Sequence, residues 1–264
     1  MSRLNFALFP MRLWLLPLLV FLLGAPLWLH LWEPAMFLWI NQLCLPIAAQ
    51  VWTGLSLLGN GWGILGITAP LLLLSPRLMW AWLCAAPFAI LFARLGKSLL
   101  ISPRPAAQVD NQQMRIVGEV LHSVSMPSGH TTTAFAVASG IFFALSPAQR
   151  RRHGWLLLLA LGTGVSRIAV GAHWPGDVVV GIGLGLLSGL LGNVLLAAMP
   201  ARWHTPDHWS LRLLALLVLS AAYFLVTDAL DFAENQPLQY GLAAVAVASV
   251  LAFAMRSARA LKAS

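Results

Sequence analysis

The stretch Asp177–Met199 reads DVVVGIGLGLLSGLLGNVLLAAM and carries its single charge at the first position. It is long enough to cross a membrane as one helix, which needs about 20 apolar residues. Similar runs recur along the chain, and the candidate spans are 13–32, 60–76, 78–100, 127–146, 155–172, 177–199, 210–228 and 238–255. The sequence therefore predicts an all-α fold, a polytopic membrane helix bundle of about eight spans.

The overall composition also indicates an integral membrane protein. Of the 264 residues, 59% are hydrophobic and 9% are charged, and the mean hydropathy is +0.81. A soluble domain carries about 25% charged residues. The net charge of +8 is scattered over short loops, so we expect no nucleic-acid partner. Cys44 and Cys84 lie in apolar stretches without the spacing of a metal or disulfide site, which predicts a structural role.

The distribution of charge predicts the topology. One side of the eight-span threading receives the basic residues Arg3, Arg12, Arg77, Arg150, Arg151, Arg152, Arg202, Arg256, Arg259 and Lys262. The other side receives the acidic residues Glu33, Asp110, Glu119, Asp228, Asp231 and Glu234. By the positive-inside rule both termini are cytoplasmic. The first run lacks an A-x-A-like cleavage site, so we interpret it as an uncleaved span, with a cleaved signal peptide as the less favoured alternative.

Two regions leave the threading open. The span at 60–76 is short. Residues 36–58 are interrupted by the polar residues Asn41, Gln42 and Gln50, and they fit an interfacial helix better than a span.

Three polar clusters interrupt the apolar chain within 81 residues. They are Lys97 with Arg104, then Pro127-Ser128-Gly129-His130, then Arg167 with His173 and Asp177. Ionisable groups are costly in a membrane protein unless they face a functional cavity. In the predicted topology all three clusters lie at the outer ends of their spans, which predicts one extracytoplasmic site.

The types of residue in these clusters suit an anion. Ser128 and Gly129 mark a helix start, where free backbone N–H groups and the helix dipole attract negative charge. Either one of these features alone fits a simple N-cap. Lys97, Arg104 and Arg167 together suit a phosphate dianion, although any one cation could instead reach lipid headgroups. Arg94, one turn before Lys97, is a supporting candidate.

The third cluster points to histidine chemistry. Pro175 favours the first position of a helix, which puts His173 just outside the helix start and Asp177 in its first turn. That spacing lets the carboxylate fix the imidazole tautomer and stabilise its charged form. A metal-ligand set is the alternative, but three cations would repel a metal ion. Asp110, Glu119 and His122 lie in the 102–126 loop over the site, where a solvated loop is favoured over substrate contact.

In this order and spacing, the clusters from Lys97 to Asp177 resemble the signature of the type 2 phosphatidic acid phosphatase family. The resemblance implies a six-span core, residues 1–200, with residues 201–264 as two additional C-terminal transmembrane helices. It implies that His173 attacks phosphorus, that Asp177 holds it, and that His130 protonates the leaving oxygen. Phosphate binding would fall to Lys97, Arg104, Ser128, Gly129 and Arg167. No metal or other cofactor is implied.

The function predicted from this resemblance is a bacterial inner-membrane lipid phosphatase, whose partners are a lipid phosphate substrate and membrane lipids. Undecaprenyl diphosphate is the favoured substrate; phosphatidylglycerol phosphate, phosphatidic acid and lipid A phosphates remain open. A lipid-to-lipid phosphotransferase is a second hypothesis. A transporter or scaffold that only binds anionic lipid is a third, and it needs no histidine–carboxylate pair. Vanadate-dependent haloperoxidases share the anion-binding residues, but the predicted spans argue against them. The oligomeric state is not predicted.

Overall fold

The computed structural model describes residues 5–205 and 208–263, with side chains as far as residue 259. Arg3, which belongs to the predicted basic side, and the side chain of Lys262 lie outside the described residues. The described residues form helices and no strands. The α-helices are α1 Met11–Leu23, α2 Ala25–Trp28, α3 Ala35–Leu43, α4 Ala49–Leu57, α5 Gly61–Thr68, α6 Leu71–Leu74, α7 Pro76–Leu99, α8 Gly129–Ala144, α9 Pro147–Arg152, α10 Trp155–Ala169, α11 Pro175–Ala198, α12 Trp209–Thr227 and α13 Gln236–Ala263. The predicted all-α fold is confirmed.

Each predicted span corresponds to helical structure. Within the described residues, four helices are long and apolar enough to cross a membrane unaided, namely α7, α11, α12 and α13. The spans predicted at 13–32 and 60–76 are each broken into two helices, α1 with α2 and α5 with α6. Pro70 explains the second break, because a proline has no backbone N–H to continue the ladder of α5.

Residues 36–58 form two short helices rather than one. The helices α3 and α4 have nine residues each. At 1.5 Å per residue each is roughly 14 Å long, well short of a hydrocarbon core of about 30 Å. The buried Asn41 fixes α3 to the rest of the protein by donating to the carbonyl oxygen of Ile168, at 2.9 Å, and accepting from the backbone N–H of Arg115, at 2.8 Å. This segment therefore packs against the end of α10.

The centre of the bundle is the packing of α7, α8 and α11. Gly185 faces α8 so closely that a Cβ there would lie 2.7 Å from the carbonyl oxygen of Thr132. Gly181 and Gly189, four residues away on either side, make similarly close approaches to Thr131 and Ser139. Small residues at this spacing let two helix backbones approach closely inside a membrane. This contact fixes the start of α8 relative to the start of α11.

The C-terminal pair, α12 and α13, packs on α5 and α6. Leu225, Val218 and Ala246 are fully buried in a cluster that also contains Leu65 and Leu72. The loop that joins α12 to α13 lies at the same end of the bundle as the end of α7, the start of α8 and the start of α11. All three polar clusters of the sequence therefore meet at one end of the bundle, where the α12–α13 loop contacts His130 through Asp231 and Arg167 through Phe232.

Candidate active site

His173 and Asp177 form a buried pair at the start of α11. His173 lies in the short connection after α10, and Asp177 lies at the third position of α11, which begins at Pro175 as predicted. His173 Nδ1 is 3.0 Å from Asp177 Oδ2, and the two side chains are 3% and 0% exposed. The same oxygen accepts the backbone N–H of Trp174 at 2.9 Å. Because Nδ1–H donates to the carboxylate, the lone pair of His173 is on Nε2.

Ser125 completes this pair, and the sequence analysis missed it. Its hydroxyl donates a short hydrogen bond to Asp177 Oδ2 and lies 3.4 Å from His173 Nδ1. Three donors therefore converge on Oδ2, whereas Oδ1 is buried and has no hydrogen-bond partner in the described part of the chain. Ser125 directly precedes the Met126-Pro127-Ser128 stretch, so its nearness to the second cluster was the available signal.

Two predicted cations flank His173. Arg104 Nη1 donates to the carbonyl oxygen of Ala172 at 2.7 Å and lies 3.2 Å from His173 Nε2. The guanidinium is also held by Ser123, whose carbonyl oxygen accepts from Nε at 3.2 Å. Lys97 reaches the site from the end of α7 and donates to the carbonyl oxygen of Val124 at 3.0 Å. The loop before α8 thus fixes both cations by its backbone oxygens.

Arg167 approaches from the last turn of α10. Its Nη1 donates to the hydroxyl of Ser56 at 3.1 Å, and the ring of Phe232 lies 5.6 Å from its guanidinium carbon. Its Nε is buried and has no hydrogen-bond partner among the residues that the structure describes. A buried guanidinium N–H without a partner is costly, which makes it a free donor for an anion entering the site. No sequence pattern pointed to Ser56 or Phe232.

The start of α8 supplies the predicted anion-binding backbone. Ser128 is fully buried and caps the helix, since its Oγ accepts from the backbone N–H of Thr131 at 3.4 Å. Its own backbone N–H donates to the carbonyl oxygen of Asp177 at 3.1 Å, which joins the starts of α8 and α11. At Gly129 a Cβ would have no heavy atom within 4 Å, so the backbone borders open space. An oxyanion can therefore approach the free N–H groups of this helix start.

His130, in the first turn of α8, faces a carboxylate that the sequence analysis did not assign to the site. Its Nε2 is 3.0 Å from Asp231 Oδ2, in the α12–α13 loop. Asn60, before α5, donates to the same oxygen at 2.9 Å. The two residues of the pair are partly exposed, at 19% and 26%. They line the approach to the site rather than its buried floor.

The electrostatics favour a neutral His173 in a positive surrounding. Burial, and then the positive charges of Arg104 and Arg167, hold the pKa of His173 well below its ordinary value. Burial likewise lowers the pKa of Arg104. Burial opposes ionisation of Asp231, but its hydrogen bonds from His130 and Asn60 outweigh that effect and lower its pKa. A neutral imidazole with an unprotonated Nε2 that faces the Arg104 guanidinium suits attack on a phosphorus atom whose oxygens the cations hold.

The fold brings the predicted site residues together at one end of the bundle. All eight predicted residues lie in this region: His130, His173, Asp177, Lys97, Arg104, Ser128, Gly129 and Arg167. Arg94 is exposed on α7. His122 is exposed, and Glu119 lines an open cavity of about 530 Å³ that leads to Arg167. In the described part of the chain, no three His, Cys, Asp or Glu side chains are grouped so that they could hold a metal ion.

Several known proteins are similar to this chain. The family model described as PAP2 superfamily matches residues 78–200. Bacitracin transport permease protein BcrC of Bacillus licheniformis is 39% identical over 100 residues, 36% of this chain and 46% of the relative. A lipid A 1-phosphatase of Rhizobium johnstonii is 33% identical over 131 residues, 47% of this chain and 50% of the relative. This chain thus matches about half the length of these relatives, or less.

Two further proteins are similar to this chain, one over a shorter stretch of sequence and one in its fold. Undecaprenyl-diphosphatase BcrC of Bacillus subtilis is 40% identical over 68 residues, 25% of this chain and 33% of the relative. The crystal structure of Aquifex aeolicus LpxE superposes with a TM-score of 0.53 at 25% sequence identity, covering 60% of this chain and 92% of that one. Residues 78–200, which the PAP2 superfamily model matches, contain every predicted site residue. The predicted resemblance is confirmed: residues 78–200 of this multi-pass membrane protein match the PAP2 superfamily.

Proposed function

We propose that this protein is a membrane lipid phosphatase that hydrolyses a lipid phosphate or diphosphate through a phosphohistidine intermediate. The observation that carries the proposal is the buried His173–Asp177 pair, because the unprotonated Nε2 of His173 lies 3.2 Å from Arg104 Nη1 and the charges of Arg167 and Lys97 also act on this ring. A protein that only bound or moved anionic lipid would need the cations but not a nucleophile with a fixed tautomer. The pair therefore favours chemistry over transport, although one matched relative has a transport name.

The proposed reaction has two displacements at phosphorus. In the first, His173 Nε2 forms a bond to phosphorus while the bond to the lipid oxygen breaks, and His130 gives that oxygen a proton. In the second, His130 takes a proton from water, the water oxygen bonds to phosphorus, and the bond to Nε2 breaks. Lys97, Arg104 and Arg167 neutralise the phosphoryl oxygens throughout, which is the main requirement of phosphoryl transfer.

The proposed orientation puts the site outside the cytoplasm of a bacterial inner membrane. At the opposite end of the bundle, Arg77 donates to the carbonyl oxygen of Ala144, at 2.8 Å, and Arg150 to that of Phe142, at 3.2 Å. These basic residues mark the cytoplasmic side by the positive-inside rule. A lipid substrate would then enter from the outer leaflet.

Undecaprenyl diphosphate and a lipid A 1-phosphate are the substrates to test first, because relatives named for both match this chain. We would measure phosphate release by the detergent-purified protein with EDTA present. We expect release from at least one substrate, loss of that release in His173→Ala, and full release in His153→Ala, a control at the opposite end of the bundle. Activity of His173→Ala within severalfold of wild type would contradict the proposed nucleophile. Dependence on an added divalent metal would contradict the metal-independent mechanism.

Detection of a covalent phosphohistidine would distinguish the proposed mechanism from a direct attack of water on the substrate. After brief reaction with substrate labelled at the transferred phosphorus, the protein should hold label that survives alkali and is lost in acid, as expected of a phosphohistidine. His173→Ala should hold none. Appearance of the label on an added acceptor lipid, in place of free phosphate, would identify a phosphotransferase instead.

A further inference from the structure

The strongest unassigned feature near the site is the carboxylate of Asp231. It lies outside the region matched by the family, in the α12–α13 loop, yet its Oδ2 is 3.0 Å from His130 Nε2. Resting on the proposed function, we propose that Asp231 is a positioning residue that holds His130 as the proton donor to the leaving group. The C-terminal helix pair then completes the active site.

Asn60 fixes the direction of this carboxylate. Its Oδ1 caps α5 by accepting the backbone N–H groups of Trp62, at 3.0 Å, and Gly63, at 3.4 Å. Its Nδ2 is thereby directed at Asp231 Oδ2, 2.9 Å away. One carboxylate oxygen is thus shared between an amide and the imidazole. A freely rotating surface carboxylate would not have this second contact.

The loop itself is anchored on both sides of Asp231. The ring of Phe232 is buried beneath Arg167, and Asn235 donates to the carbonyl oxygen of Thr53 at 2.8 Å. On the other side, Gln239 donates to the backbone oxygen of Asp228 at 2.8 Å. Asp231 has a φ of 52°, in the left-handed region that non-glycine residues seldom occupy. The packing of the loop maintains this conformation and keeps the carboxylate facing His130.

The pairing has a defined chemical consequence. When Asp231 accepts the Nε2–H of His130, the other ring nitrogen, Nδ1, is the one that serves the reacting oxygen. Nδ1–H gives its proton to the lipid oxygen as the phosphorus–oxygen bond breaks. The neutral ring keeps its Nε2 proton against Asp231, and the Nδ1 lone pair then takes a proton from the attacking water. The carboxylate also stabilises the charged imidazolium that must exist before the first transfer.

A leaving-group test distinguishes this role from a structural one. A poor leaving group such as the glycerol oxygen of phosphatidic acid needs a proton, whereas the nitrophenolate of 4-nitrophenyl phosphate does not. Asp231→Asn should therefore lower kcat on phosphatidic acid about 10- to 100-fold, part of what general acid catalysis contributes, and change kcat on the aryl phosphate much less. The ratio of the two rates does not depend on the fraction of protein that folds. Arg167 and Arg104 also face His130, so without the carboxylate of Asp231 the fall in activity at high pH should begin at a lower pH.

Asp228→Asn is the matched control. It removes the same charge three residues away in the same loop, from an exposed side chain that does not contact His130. We expect it to leave both rates and the pH profile unchanged. In a His130→Gln background, Asp231→Asn should cause no further loss, because the two residues act as one unit.

Each other outcome decides against the proposal. Equal losses on both substrates would give Asp231 a structural role, and unchanged or increased rates would remove it from the mechanism. These results differ from failure of the proposed function, in which wild type and Asp228→Asn would release no phosphate from any of the lipid phosphates, including undecaprenyl diphosphate and lipid A 1-phosphate.

Discussion

Asp177→Asn separates the charge of the buried carboxylate from its geometry. All three donors to this side chain meet at Oδ2, and Oδ1 has no partner. An asparagine can place its amide oxygen at the Oδ2 position and accept the same three hydrogen bonds. His173 then keeps its tautomer and orientation. The negative charge beside the imidazole is the main catalytic feature removed.

The size of the effect follows from the geometry of the pair. His173 becomes positively charged when phosphorus bonds to Nε2, with Nδ1 3.0 Å from the carboxylate oxygen. Unit charges about 4 Å apart interact by about 4 kcal/mol at an effective dielectric constant of about 20. Each 1.36 kcal/mol of barrier is a factor of ten in rate, so kcat should fall by about 10³-fold.

The assay is phosphate release by purified protein, with a melting curve for each variant. Asp177→Ala, which also loses the orientation of His173, should lose up to about 10²-fold more activity than Asp177→Asn. Asp110→Asn is the control, because Asp110 is exposed and caps only its own turn at Gln112. A kcat for Asp177→Asn within about tenfold of wild type would refute the charge argument. Equal rates for the asparagine and alanine variants would show that Asp177→Asn does not keep the orientation of His173.

Two further predictions concern packing and pH. Gly185→Ala should destabilise the protein by about 1–3 kcal/mol, because its Cβ would lie 2.7 Å from the backbone oxygen of Thr132 and force α8 away from α11. Gly241→Ala, in open space on α13, should raise the melting temperature instead. A lower melting temperature for Gly241→Ala than for Gly185→Ala would contradict the described packing. Burial raises the pKa of Glu33 from 4.5 to about 7, so the folded state binds this proton more tightly and stability falls as pH rises between these values. In Glu33→Gln the loss of unfolding free energy between these pH values should be smaller by about 1 kcal/mol, a figure that allows for solvent screening. A melting temperature that depends on pH as strongly as in wild type would contradict this prediction.

Sequence reasoning could place His173, Asp177 and Ser128 because their partners are near in the chain, whereas it recognised the cations by their charge in an apolar sequence. His173 and Asp177 are four residues apart across a helix start, and a proline marks that start. Ser128 caps α8 three residues before its partner, Thr131. Such contacts follow from helix geometry alone, so spacing predicts them without any knowledge of the packing.

The residues that were missed depend on the packing of distant segments. Asp231 meets His130 across 101 positions and Asn60 across 171, and Ser56 meets Arg167 across 111. No periodicity relates such positions, since their contact depends on how α5 and the C-terminal pair dock on the bundle. The charge pattern was the most useful sequence feature for Asp231, because it predicted this residue on the same side of the membrane as the site. It could not say which of the acidic residues on that side reaches a histidine.

These contacts bear on the predicted division of the chain into a core, 1–200, and an additional helix pair, 201–264. Helix α5 belongs to the predicted core, but its buried side chains Ile64 and Leu65 lie in one cluster with α12 and α13. The same helix carries Asn60 at its start, and Asn60 and Asp231 converge next to His130. Removing the pair would expose this apolar face of α5 and take away the carboxylate facing His130. The division describes where the family resemblance ends, whereas the active site as folded draws on both parts.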